Sequence, residues 1–116
     1  MNKTLFIGLM SGTSLDAIDV ALCRCTESGT SVIDFQTHPL PEQISSEVTT
    51  FSHSKEIDLE LLAALDIKLG RLFSEAVLGI LKSTSYDSSD IAAIGSHGQT
   101  IRHKPTTDKT AFPFSL

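Results

Sequence analysis

An α/β fold of order β-β-β-α-α-β is predicted, and three observations predict it. Short apolar runs separated by turn residues fill the chain as far as His38, as successive strands do. From Asp58 to Lys82, leucines recur at helical spacing. A last apolar run, Ile91–Ser96, follows a polar loop.

Thr4–Met10 is apolar almost throughout, which reads as a strand covered on both faces. Ala17–Cys25 alternates Ile18, Val20 and Leu22 with Asp19, Ala21 and Cys23, a second strand. Glu27-Ser28-Gly29 is a turn, and Ser31–His38 a third strand with Val32, Ile33 and Phe35. Short turns make the three an antiparallel meander, ended by Pro39 and Pro41 because proline cannot donate to a ladder.

Glu42–Phe51 is a short helix with Ile44, Val48 and Phe51 on one side. Asp58 is the N-cap of a long helix to about Lys82. Leu61, Leu65, Leu69, Leu72, Ala76 and Ile80 form one stripe, widened by Leu62, Ile67, Phe73, Val77 and Leu81, so this helix packs against a sheet. After the polar Ser83–Ser89, Ile91–Ser96 is a fourth strand beside the first. Thr106–Leu116 contains Pro113 and has no evident partner strand, so fraying is expected there. Nothing repeats, and no tract is of low complexity.

The length of 116 residues suits one domain, and 41% hydrophobic residues suffice for a core. The formal net charge of −5 argues against a nucleic-acid or anionic-membrane surface, even around Arg102-His103-Lys104. No stretch approaches the ~18 apolar residues of a membrane span, and the N-terminus lacks a signal-peptide pattern. A cytoplasmic protein is expected. Cys23 and Cys25 point to the same face of a strand, a poor geometry for a mutual disulfide, and read as small core or half-buried side chains.

Two segments suggest chemistry. Ile7-Gly8-Leu9-Met10-Ser11-Gly12-Thr13-Ser14-Leu15-Asp16-Ala17-Ile18-Asp19 places small hydroxyl residues and a glycine between two strands. Such a turn offers N–H and hydroxyl donors to a phosphate, and Asp16 or Asp19 could orient hydrated Mg²⁺. Any tight turn also favours these residue types. The loop is neither a Walker A nor a G-x-G-x-x-G motif. The other segment is Ile94-Gly95-Ser96-His97-Gly98-Gln99-Thr100-Ile101-Arg102-His103-Lys104-Pro105. A hydrolase triad of Ser11 or Ser14 with His97 and Asp16 has little support, because no G-x-S-x-G elbow is present.

Together these segments resemble the anhydro-N-acetylmuramic acid kinases, closely over Phe6–Asp19 and Ile94–Pro105, with Phe114-Ser115-Leu116 resembling the start of a further family segment. The resemblance implies an ATP-dependent sugar kinase of peptidoglycan recycling. Such an enzyme opens 1,6-anhydro-MurNAc with water and phosphorylates O6, giving MurNAc 6-phosphate and ADP. It implies a ribonuclease H-like half-lobe, the unit of sugar kinases, actin and Hsp70 ATPases, over residues 1–105, followed by a frayed 106–116. Gly12, Thr13, Ser14, Leu15, Asp16, Ala17, Ile18 and Asp19 then bind ATP, with Mg²⁺ near Asp16 or Asp19. Ala17 stands where the family has glycine, a strained exchange if that position needs positive φ. On the sugar side the resemblance implies His97, Gln99, Thr100 and Arg102, with His97 read first as an orienting core histidine. The family's general base and second ATPase lobe lie beyond this length. The expectation is therefore an inactive fragment, held as a homodimer or by the missing C-terminal lobe. A non-catalytic interaction or anion-binding module is the alternative.

Overall fold

Three consecutive strands, β1 (Leu5–Ser11), β2 (Ala17–Thr26) and β3 (Gly29–Pro39), pair as the expected antiparallel meander. The computed structural model describes residues 2–12, 15–103 and 113–116. Two helices follow, α1 (Glu42–His53) and α2 (Leu59–Ser83), then a short 3-10 turn at Ser88–Asp90, β4 (Ile91–His103) and β5 (Pro113–Ser115). The sheet order is β3-β2-β1-β4-β5, with β4 parallel to β1. The result is an α/β arrangement of a mixed five-stranded sheet and two helices, one strand more than the sequence predicts.

Alternation decides which face of the sheet is covered. Leu5, Ile7 and Leu9 of β1 and Ile18, Val20 and Leu22 of β2 are buried on the helical side. They meet Leu65, Leu69, Phe73, Ala76 and Ile80 of α2, and each of the larger of these side chains removed from water contributes about 1.5–3 kcal/mol. Asp58 caps α2 as expected, accepting from the N–H groups of Glu60 and Leu61 at 2.9 and 3.1 Å. Helix α2 lies over β2 and β3, whereas α1 lies over β4 and buries Ile44 and Val48.

Several expectations are corrected. Strand β1 is covered on one face only: Phe6 is half-buried, and Gly8 and Met10 are exposed. The apolar residues of β3 are not core, since Val32 is 63% and Phe35 57% exposed. Register sets Phe35, Ala21, Gly8 and Gly95 side by side across the uncovered face. The α2 stripe is narrower than its leucines suggest, with Leu61 and Ile67 exposed. Strand β4 runs on to His103, because a bulge carries it past Ser96. Residues 113–115 do not fray, since β5 pairs antiparallel with the free edge of β4; 106–112 lie outside the described residues. Cys23 and Cys25 are both half-buried. Among the described residues no helix is long and apolar enough to cross a membrane.

Candidate functional site

The turn between β1 and β2 is gripped from three sides. The Gly12 carbonyl accepts from Gln99 Nε2 at 3.2 Å, the Leu15 carbonyl from Ser45 Oγ at 2.8 Å, and the Asp16 carbonyl from the Leu40 N–H at 3.1 Å. These donors come from β4, α1 and the link between β3 and α1. A fourth contact closes the turn on itself, Leu15 N–H to the Gly12 carbonyl at 3.4 Å. Leu15 has φ of +57°, unusual for a branched side chain, and that side chain packs against the core. Among the described residues, a Cβ placed on Gly12 would meet no atom within 4 Å beyond its chain neighbours, so the described part of the turn is open on that side.

The expected ATP-binding residues do not share one place. Gly12, Leu15 and Asp16 form the described part of the turn, with Asp16 exposed; Thr13 and Ser14 lie outside the described residues. Ile18 is buried in the core. Asp19 faces the uncovered side of the sheet, opposite Met10, and its Oδ1 accepts from Thr37 Oγ1 at 3.1 Å. Ala17 begins β2 and is not among the residues of positive φ, so alanine fits there without strain. Among the described residues no group of three or more His, Cys, Asp or Glu could enclose a metal ion. A cation here would rely on one or two carboxylates and water, which suits Mg²⁺.

Ser11 and Gln99 are the buried polar residues beneath the turn, both with 0% exposure. Ser11 Oγ donates to Gln99 Oε1 at 2.6 Å, so its hydroxyl points inward and is not offered to an anion. Gln99 does not face a sugar either. Its Nε2 is spent on the carbonyls of Gly12 and Thr100, at 3.2 and 3.1 Å. The cause is the β4 bulge. Leu9 pairs with Ser96 and Ser11 with Gln99, so two residues of β4 stand against one of β1. Gly98, with φ of +75°, supplies the needed backbone, and the extra residue turns Gln99 to the helical side.

The remaining expected sugar-side residues are dispersed. His97 is exposed, which corrects its reading as a core histidine. Thr100 is half-buried and lines a cavity of about 140 Å³ with Leu15, Val48, Ser52 and Ile101. Arg102 closes the C-terminus of α1, donating through Nη2 to the carbonyls of Phe51 and Ser54 at 3.2 and 2.5 Å. Its buried Nε has no hydrogen-bond partner among the described residues. Sequence reasoning missed Ser45 and Leu40, which carry no motif; only their place opposite the turn reveals them.

Residues 4–116 match the family model described as anhydro-N-acetylmuramic acid kinase. The chain belongs to the anhydro-N-acetylmuramic acid kinase family. Relatives bearing that name agree along the chain. One from Saccharophagus degradans is 39% identical over 116 residues, covering 100% of this chain and 31% of the relative. One from Shewanella loihica is 39% identical over 108 residues, covering 93% and 29%. One from Sulfurovum sp. is 39% identical over 116 residues, covering 100% and 31%. The chain thus spans less than a third of the length of these anhydro-N-acetylmuramic acid kinases.

Proposed function

We propose that the β1–β2 turn holds ATP phosphates for a sugar kinase that converts 1,6-anhydro-MurNAc, ATP and water to MurNAc 6-phosphate and ADP. The observation carrying this reading is the direction of the turn's carbonyls. Gly12, Leu15 and Asp16 turn theirs to donors of the protein interior. In a trans peptide the next N–H points the opposite way, so the Leu15 bond to Ser45 turns the Asp16 N–H away from α1. That N–H, beside the side of Gly12 that is open among the described residues, suits a phosphate. Gly12, Thr13, Ser14 and Asp16 would hold ATP, and Asp16 or Asp19 would hold water on Mg²⁺.

The sugar would lie along β4, as membership of the family implies, with Thr100 and His97 meeting hydroxyl or acetamido groups; Arg102, whose Nη2 caps α1, would reach the lactyl carboxylate through Nη1. In the reaction the C1–O6 bond breaks, water supplies the hydroxyl at C1, and O6 takes the phosphoryl group. The order β3-β2-β1-β4, with β4 parallel to β1 and β2 antiparallel, supports a ribonuclease H-like half-lobe, residues 1–105. The whole enzyme would act in cytoplasmic peptidoglycan recycling, with a further lobe or second subunit closing the cleft. For these 116 residues alone, which span less than a third of their relatives' length, we expect no turnover.

Titrating ATP into the ¹⁵N-labelled chain tests the turn. The amides of Gly12, Leu15 and Asp16 should move at millimolar ATP while those of α2 stay still; unmoved turn amides would sink the phosphate reading. A second reading, a non-catalytic interaction module, draws on the uncovered apolar sheet face with Met10 and Phe35 exposed. Phosphorylated sugar formed by a longer family chain would decide for the kinase, and binding without turnover for the module.

A further inference from the structure

We propose that Gln99 is a positioning residue for the phosphate turn, a latch that fixes its backbone from below through Ser11 and Gly12. For its functional consequence the proposal rests on the phosphate reading above; for its structural content it does not. The orientation of the amide is dictated by its partners. Nε2 faces the Gly12 and Thr100 carbonyls, which accept only, and Oε1 faces the Ser11 hydroxyl, which donates. A flipped amide would set oxygen against two carbonyl oxygens. With Ser11 and Gln99 both at 0% exposure, water cannot replace a lost bond.

The latch holds one end of the turn and Ser45 the other. Between them Leu15 sits at φ of +57°, a conformation that persists only where its surroundings enforce it. Gln99 is itself fixed through its backbone, exchanging two hydrogen bonds of 2.9 Å with Leu116. It grips the first carbonyl of the turn and touches no face open to ligand. Its contribution is preorganisation: a turn already shaped for an anion need not be ordered when the anion arrives.

The test compares Gln99→Met, Gln99→Glu and Ser11→Ala in the 116-residue chain, by amide hydrogen exchange corrected for intrinsic rates. Methionine keeps volume and loses every bond, so exchange at Leu15, whose N–H bonds the gripped Gly12 carbonyl, should quicken by roughly tenfold, the factor for one hydrogen bond, while α2 amides are unchanged. Glutamate supplies the conservative rescue. As a neutral acid it accepts from Ser11 and donates to the Gly12 carbonyl; ionised, it accepts only. Burial raises its pKa above about 4.3, so protection should be native-like at acid pH and lost as pH rises, a profile the parent chain lacks. Unchanged turn exchange in Gln99→Met, equal loss at every amide, or a pH-independent Gln99→Glu would overturn the latch. Should Gln99→Met not fold, Ser11→Ala carries the same comparison, removing the bond to Gln99 together with a longer contact to the Ala17 carbonyl at 3.4 Å. ATP titration runs alongside: a parent chain that fails to bind ATP overturns the phosphate reading alone, and the exchange result still judges the latch.

Discussion

Gly98 and Leu116 approach so closely that a Cβ on Gly98 would lie 2.0 Å from the Leu116 carbonyl oxygen. Both backbones are committed at this point. Gly98 carries φ of +75° within the β4 bulge, and Leu116 bonds to Gln99 in both directions.

Alanine at position 98 should therefore release β5 and cost stability twice. The left-handed conformation costs about 1–2 kcal/mol for a residue with a Cβ, and loss of the Leu116 pairing adds to it. Urea unfolding of Gly98→Ala measures this. Gly95→Ala is the control, because a Cβ there meets nothing within 4 Å and should change stability by less than ~1 kcal/mol.

Much of the fold is legible in the sequence for local reasons. Asp58 caps α2 through its own neighbours, and the alternation of Ile18, Val20 and Leu22 is a property of β2 alone. What cannot be read depends on distant partners. Val32 and Phe35 look like core residues, yet their side of the sheet carries no helix among the described residues. Gln99 looks like a sugar ligand, but one extra residue in β4 exchanges the face it occupies. Strand β5 has three residues, one a proline, and exists because β4 leaves an edge unpaired. Ser45 reads as an ordinary helix serine until Leu15 is placed beside it.

Gly12→Val should separate binding from folding. Among the described residues the space around Gly12 accepts a Cβ, and its φ is not in the left-handed region, so the melting temperature should hardly change. The same side chain would occupy room the phosphates need. Calorimetry with ATP should show affinity reduced by at least tenfold, about 1.4 kcal/mol.

Arg102→Met should loosen the end of α1. The guanidinium satisfies two carbonyls at the helix C-terminus and places positive charge where the helix dipole favours it. A loss of about 1–3 kcal/mol is expected, measurable by chemical denaturation, with amide exchange quickening first at Phe51 and Ser54.

Asp87 offers a pH test away from the site. The Ser89 hydroxyl and N–H both donate to its carboxylate, and that support holds its pKa below the usual 3.8. With a depressed folded pKa, the 3-10 turn at Ser88–Asp90 gains support above the unfolded value and loses it as pH falls through the folded one. Carboxyl carbon shifts across an acid titration should show a midpoint below 3.8, and Ser89→Ala should move it upward.

The bond between Ser11 and Gln99 spans 88 positions of sequence, which sets when the turn acquires its shape during folding. The β1–β2–β3 meander closes over short separations and can form early, whereas β4 must return past both helices before it pairs with β1. Until then the Gly12 carbonyl has no Gln99 beneath it. The turn is thus completed late, after the chain has committed to its topology, and a half-folded molecule would present nucleotide with an unshaped hairpin tip.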